Sequence, residues 1–235
     1  MGGRGASIGS GAGGGKISLS FPDGSELSES FRKGMEDKLN AEGTKLAKKV
    51  YSKFLPDLAY GGEDGKKAYF SPITGSVFNQ KIDAKGDVLH PPFETAFHEF
   101  AHAIDYKLGS MFSYRSEEVI GLKRLIKKEY KAYKTKNNFE LDSDVFKHLN
   151  GKYDLKTRGN VSDMLQAITG AYAPLGAGHN KTYFKKKGNT EAEFFAEVFA
   201  SQAANKKSYA LIKEIFPKSV KEVERIATEA LKKKQ

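Results

Sequence analysis

Phe97-His98-Glu99-Phe100-Ala101-His102 is a His-Glu-x-x-His run inside an apolar, helix-forming stretch. On a helix, positions four apart lie one above the other on the same face, so both histidines can reach one metal ion with Glu99 beside them. Neutral imidazoles suit Zn²⁺, and the carboxylate can take a proton from a water that attacks a carbonyl. The motif predicts a catalytic zinc site, and the alternative is two histidines hydrogen-bonded at the edge of a core. The apolar neighbours that would bury such a helix are Phe93, Ala96, Phe97, Phe100, Ala101, Ala103 and Ile104.

Composition limits the kind of protein. The chain has 235 residues, 39% of them hydrophobic and 29% charged, which is typical of a soluble globular chain with a sizeable core. We expect one domain over residues 17–235, preceded by a flexible Gly-rich linker over residues 1–16. There is no cysteine, so disulfides and Cys-based zinc sites are excluded and any metal must be held by His and carboxylate.

Charge and hydropathy give little information about location and partners. No apolar run approaches the roughly 18 residues of a membrane span, and the N-terminus lacks the apolar centre of a signal peptide. No compartment follows from this. The net charge of +10 favours contact with polyanions such as nucleic acid, whereas lysines spread over solvated helix faces are the alternative explanation.

A third metal ligand is expected in the apolar helix predicted at about residues 190–202. Glu193 and Glu197 stand four apart on one face of it, beside aromatic residues. Carboxylates on such a stripe are costly to bury unless a positive charge neutralises them. A Zn²⁺ held by Glu193, with Glu197 supporting a histidine, would do so. The alternative is a polar stripe that faces solvent.

The remaining pattern predicts a mostly helical α+β fold with a small β-hairpin beside the metal-binding helix. Residues 68–70 and 76–78 read as strands joined by a turn, and an edge strand there could pair with an extended substrate or only cover the helix. Residues 61–65 read as a loop. Further helices are expected over 26–54 with a break at Gly43, over 92–108, over 117–133, after a cap at Asn160 or Ser162, and over 207–233 with a break at Pro217.

Two other residues, Asp105 and His90, have two interpretations each. Asp105 follows His102 by three positions, so it either orients an imidazole or a neighbouring helix, or ends the helix as a solvated carboxylate. His90, just before the helix, is a ligand or incidental. His179 and Tyr183 lie in a structured loop expected over residues 170–188, which could cover the site.

Two segments resemble a known family. His98 to Asp105 together with Asn189 to Phe199 resemble the catalytic domains of the anthrax lethal factor type, which are gluzincin-type zinc metallopeptidases with a zincin-like fold. The resemblance implies Zn²⁺ on His98, His102 and Glu193, with Glu99 as general base. It also implies a tyrosine shortly before the third ligand that donates to the developing oxyanion. Tyr183 is the candidate, although it stands a few residues further upstream than in that family.

A second resemblance concerns context. The opening Gly-Gly-Arg-Gly-Ala-Ser, Ser162-Asp163, Gly178-His179 and Tyr183 are similar to zincin-type modules at the ends of minor head proteins of Gram-positive prophages. This implies that His179 lies near the site; otherwise it is an ordinary loop histidine. It also implies a phage virion, the bacterial cytoplasm or delivery as part of a larger protein, with capsid or nucleic-acid contact through the basic surface.

The sequence as a whole predicts a zinc-dependent endopeptidase that acts on a protein or peptide substrate. A binding module that keeps the metal as a structural staple is the main alternative, but a structural site does not need Glu99. An ADP-ribosyltransferase is a third hypothesis, because Glu191-x-Glu193 matches the acidic pair of that class. That hypothesis lacks an accompanying Ser-Thr-Ser segment and leaves the His-Glu-x-x-His run unexplained.

Overall fold

The computed structural model describes residues 16–21, 27–63, 67–79, 81–110 and 112–233. Within these ranges the chain has a mostly helical α+β fold, as predicted, with nine α-helices and one small sheet. None of the described helices is long and apolar enough to cross a membrane. The Gly-rich linker predicted over residues 1–16 lies, apart from Lys16, outside the described residues. The helices are α1 Glu29–Glu42, α2 Lys45–Phe54, α3 Glu94–Leu108, α4 Leu122–Lys136, α5 Asp142–Lys152, α6 Leu155–Thr169, α7 Asn189–Ala204, α8 Lys206–Ile215 and α9 Pro217–Lys232.

The sheet has the strand order β1-β3-β2, with β1 Ala59–Glu63, β2 Tyr69–Ser71 and β3 Ser76–Asn79. Strands β2 and β3 form the predicted antiparallel hairpin, and β1 adds to the other side of β3 in parallel. The loop predicted over 61–65 is wrong for residues 61–63, which belong to β1. Gly61 is needed there for close approach, because a Cβ atom would lie 2.2 Å from the ring of Phe78.

Helix α7 forms the centre of the molecule. Every residue from Ala192 to Ala204 is buried, and the helix packs most extensively against α3 and also against α6, α8 and α1. A helix that is apolar on nearly all sides belongs in the interior. Its phenylalanines fill the space between neighbours; the ring of Phe194, for example, meets Phe216 edge-on at 5.5 Å.

Two predicted helix starts are wrong for local reasons. Helix α4 begins at Leu122 rather than at residue 117, because residues 117–121 form turns in which Glu118 binds back to Ser110 and Ser113. Helix α6 begins at Leu155, where the Asp154 carboxylate accepts the backbone N–H of Thr157 at 2.8 Å. Asn160 and Ser162, the predicted caps, lie buried inside this helix. The predicted breaks at Gly43 and Pro217 are confirmed.

Helix α3 starts at a strained residue. Phe93 has φ 65°, which is unusual for a residue with a side chain. Its ring meets Phe31 edge-on at 5.3 Å and lies over Gly34, where a Cβ atom would come within 2.1 Å of it. Its backbone N–H donates to the Asp83 carbonyl at 2.7 Å. These contacts fix the point at which α3 begins and therefore the direction of Glu94, which is buried.

Candidate metal centre

One face of α3 carries the polar groups of the site. Glu94, His98 and His102 follow one another at intervals of four, so they lie on one face of the helix. The other sides are apolar and packed, with Phe97 and Phe100 fully buried. The Tyr51 hydroxyl donates to the Phe97 carbonyl at 2.9 Å within this core. The apolar packing predicted for this helix therefore holds the two histidines in place.

Helix α7 presents Glu193 and Glu197 to that face. The two glutamates are only 1% and 5% exposed, so the alternative of a solvent-facing polar stripe is wrong. The reason is that α7 is surrounded by other elements on nearly all sides. Both carboxylates meet histidines of α3 instead of water.

His98, His102 and Glu193 converge on one point. The two Nε2 atoms lie 3.1 Å apart, the Glu193 Oε2 atom lies 3.3 Å from Nε2 of His98, and Oε1 lies 3.3 Å from Nε2 of His102. Ligand atoms about 2.0–2.1 Å from a tetrahedral ion are separated by about 3.3–3.4 Å. The trio could hold a metal ion. Sequence reasoning named these same three residues.

The charges at this trio agree with a cation site. The Oε2 atom of Glu193 is buried and has no hydrogen-bond partner among the described residues. Burial would raise the pKa of Glu193, yet the histidines, His102 foremost, hold it well below its usual range. Burial would lower the pKa of His98, yet Glu197 and Glu193 hold it well above. The carboxylate is kept ionised, as a metal ligand must be.

Behind His98 lie two further carboxylates. The Glu197 Oε1 atom is 3.6 Å from Nδ1 of His98, which is ion-pair distance and agrees with the predicted supporting role. Glu94 accepts a hydrogen bond from the Asn160 amide at 2.9 Å. Burial raises the pKa of Glu94 to about 8, against the effect of that hydrogen bond and with a further contribution from Glu197.

Glu99 and two tyrosines lie near the trio. Glu99 is half-buried, and its charge acts on both Tyr114 and Tyr183. The Tyr183 hydroxyl donates to Glu193 Oε1 at 2.5 Å, so the residue predicted to lie at the site does lie there. The ring of Tyr114 is 6.0 Å from that of His102. Burial, with help from Glu193, raises the pKa of both phenols well above the usual range.

Asp105 organises the segment that carries Tyr114. It is fully buried, so the alternative of a solvated carboxylate at the helix end is wrong. It accepts the backbone N–H of Ser116 at 2.8 Å and the Ser116 hydroxyl at 2.5 Å, and no hydrogen bond to an imidazole is found in the described part of the chain. Burial raises its pKa to about 7, while the Ser116 hydrogen bonds act to lower it. Asp105 thus positions the segment between α3 and α4, and it does not orient a histidine of the trio through a hydrogen bond among the described residues.

Helix α6 fastens the predicted loop over the site. The Ser162 hydroxyl accepts the N–H of Leu175 at 3.0 Å and donates to the Ala177 carbonyl at 2.6 Å. The Gln166 side chain pairs with both backbone groups of His179, at 2.8 and 3.0 Å. Gly178 leaves room for the Gln166 side chain, because a Cβ atom would lie 2.4 Å from Gln166 Oε1. The loop therefore has a fixed position.

The hydrogen bonds of Ser162 and Gln166 bring His179 next to Glu193. The Nε2 atom of His179 lies 3.4 Å from Glu193 Oε2 and 3.5 Å from Asp163 Oδ2, and the ring stacks on Tyr183 at 4.0 Å. His179 is thus not an ordinary loop histidine. His90, by contrast, pairs with Asp87 in the loop before α3.

Sequence reasoning missed two residues of this site. Asp163 was noticed only as part of a short motif, and its position on α6 gives it no independent signal. Tyr114 has no signal at all, since its place depends on the Asp105–Ser116 contact. No protein-family model matches this chain, and no curated protein or solved structure matches it either. The geometry of the site is therefore the basis for any functional conclusion.

Proposed function

We propose that the protein is a zinc-dependent endopeptidase with a zincin-like fold. The observation that carries the proposal is the convergence of His98, His102 and Glu193, with Glu99 next to the first histidine on the same helix. Two imidazoles and one carboxylate that leave a fourth position open are the donor set of hydrolytic zinc sites. This donor set favours zinc over the hard cations, which prefer oxygen ligands.

Glu99 is the proposed general base. A zinc ion bound by the trio would supply a Lewis acid and an acidified water molecule. Glu99 would accept a proton from the attacking water and pass it to the leaving amine. Its half-buried position, next to His98 in the chain, suits both transfers.

Tyr114 and Tyr183 are the proposed donors to the developing oxyanion. Their raised pKa values keep both phenols protonated at neutral pH, so each retains an O–H to donate. Tyr183 currently donates to Glu193, so in this role it would exchange that partner for substrate. Tyr114 lies next to His102, in the segment held by Asp105.

The sheet offers a place for an extended substrate. Strand β2 pairs only with β3, so its other edge is open among the described residues. Phe70 of β2 packs against Tyr106 at 5.5 Å and Tyr114 at 6.5 Å, which brings that edge next to the site. A peptide could pair with the open edge through main-chain hydrogen bonds.

The test combines metal content with cleavage. Mass spectrometry on the purified protein should find zinc, and Glu193→Ala should lose it. Glu99→Gln should keep the zinc and cleave a mixed peptide library about 10²–10⁴-fold more slowly. Glu214→Gln, an exposed change outside the site, serves as the matched control. Zinc without cleavage by the unchanged protein would support the binding-module alternative, and a protein without zinc would refute the proposal.

A further inference from the structure

The Glu193 carboxylate has two different sides. Its Oε1 atom faces His102 at 3.3 Å and accepts the Tyr183 hydroxyl. Its Oε2 atom faces His98 at 3.3 Å and also His179 at 3.4 Å. Glu193 therefore stands between two groups of metal-binding side chains, one on α3 and one on α6 with its loop.

The second group has the spacing of the first. Asp163 Oδ2, His179 Nε2 and Glu193 Oε2 lie close enough together to hold one ion, with His179 at 3.5 and 3.4 Å from the two carboxylates. Charge-assisted hydrogen bonds are shorter, about 2.7–2.9 Å. The observed values instead match the separation of about 3.3–3.4 Å between ligands of a tetrahedral ion.

Hydrogen bonding gives an independent argument. Asp163 Oδ1 and Glu193 Oε2 are buried without a hydrogen-bond partner in the described part of the chain. The same His179 nitrogen faces both carboxylates, so a single proton on it could serve only one of them. A cation between the three groups would meet both carboxylates, through Asp163 Oδ2 and the unpartnered Glu193 Oε2.

The buried negative charge around Glu193 also favours a second cation. Three carboxylates are buried or nearly so around this region, and no lysine or arginine of the described residues makes an ion pair with them. One divalent ion leaves part of this negative charge uncompensated, which is costly in the interior. The three are Asp163, Glu193 and Glu197.

We propose that Asp163, His179 and Glu193 form a second divalent-cation position, with Glu193 as the ligand shared between the two. The proposal rests on the proposed function, because Glu193 must also serve the first ion. The second ion would be zinc, given one imidazole and two carboxylates. It would tie the 170–188 loop to α6 and α7 and would fix Tyr183 through the ring stacked on it.

Metal stoichiometry tests the proposal. The full chain is stripped with chelator, dialysed against Zn²⁺, washed and measured by mass spectrometry. We expect two ions per chain, falling to one in His179→Ala and in Asp163→Asn. The exposed His90–Asp87 pair provides matched controls, His90→Ala and Asp87→Asn, which should keep both ions. Circular dichroism checks that each variant is folded.

A measurement on the unchanged protein covers the case in which a variant does not fold. With Co²⁺ in place of Zn²⁺, two ions that share a carboxylate should give an exchange-coupled electron paramagnetic resonance spectrum. A single uncoupled ion per chain overturns the second position, whether or not that ion is lost in His179→Ala. If that ion is retained in His179→Ala but lost in Glu193→Ala, the proposed function still stands. A chain that binds no metal refutes both.

Discussion

Glu129 and Glu193 are both buried glutamates that reach from one helix to the next, yet their surroundings are opposite. Glu129 of α4 accepts hydrogen bonds from the backbone of Lys218 at 2.6 Å and of Ser219 at 2.8 Å, and from the Ser219 hydroxyl at 2.6 Å. These donors lie in the first turn of α9, where the helix dipole also favours an anion. Glu193 meets one tyrosine and three imidazoles, and its Oε2 atom has no hydrogen-bond partner among the described residues.

The difference separates a structural carboxylate from a candidate ligand. Burial is similar, at 8% and 1% exposure, so burial alone does not identify the site. The two carboxylates differ in the number of hydrogen-bond donors that they meet. A structural carboxylate needs hydrogen bonds to repay its desolvation, whereas a metal ligand keeps its lone pairs free.

The largest expected effect comes from removing each glutamate in turn. Glu129→Ala leaves several donors at the start of α9 unpaired, so it should cost about 2–4 kcal/mol of unfolding free energy, with or without metal. Glu193→Ala removes the carboxylate that pairs with His98 and His102, so the metal-free protein should also lose stability. The substitution should abolish the increment of about 4 kcal/mol expected from zinc at 1,000 times its dissociation constant. Urea unfolding in zinc and in chelator measures both.

The two variants should differ in how their stability responds to zinc. If the loss in Glu129→Ala depended on zinc, Glu129 would belong to the metal site. If Glu193→Ala kept the zinc increment, Glu193 would not be a ligand.

The sequence was enough to predict the parts of the site that lie on single helices. His98 and His102 follow from spacing and apolar flanks, and Glu193 follows from a carboxylate in a helix that is otherwise apolar. Such patterns repeat within one element, so the helical period reveals them.

The parts that depend on contacts between elements could not be predicted in the same way. Tyr114 comes to the site because Asp105 binds Ser116, and strand β1 exists because Gly61 lets Phe78 approach. His179 lies at Glu193 because Ser162 and Gln166 hold its loop. None of these partners has a fixed spacing in the chain, so no local pattern marks them.

Glu94 is intermediate between the two glutamates, and its pH dependence sharpens the comparison. It accepts a hydrogen bond from Asn160, the Asn205 side chain also acts to lower its pKa, and its Oε2 atom is buried without a hydrogen-bond partner among the described residues. Burial raises its pKa to about 8 from an ordinary value of 4.5, so the folded protein binds this proton more tightly than the unfolded chain. The metal-free protein should therefore lose stability as pH rises from about 4.5 to about 8.

Glu94→Gln isolates this effect because the amide keeps an acceptor for Asn160 and never ionises. In chelator, the variant should match the unchanged protein at about pH 4.5 and exceed it by about 2–4 kcal/mol above about pH 8. Urea unfolding across this range measures the difference, and Glu214→Gln should show none of it. A constant offset at every pH would mean that Glu94 titrates normally.

The smallest expected effect is at Glu197, which touches the ligand set only through His98. Its Oε1 atom is 3.6 Å from His98 Nδ1, so it orients the ring and raises its basicity without facing the trio directly. Glu197→Gln should weaken zinc binding about 10–100-fold. Competition with a chelator of known affinity measures the change, with Glu214→Gln as control. An anion that supports a metal-binding histidine cannot become neutral without weakening metal binding. Unaltered affinity would therefore mean that Glu197, like Glu129, only stabilises the fold.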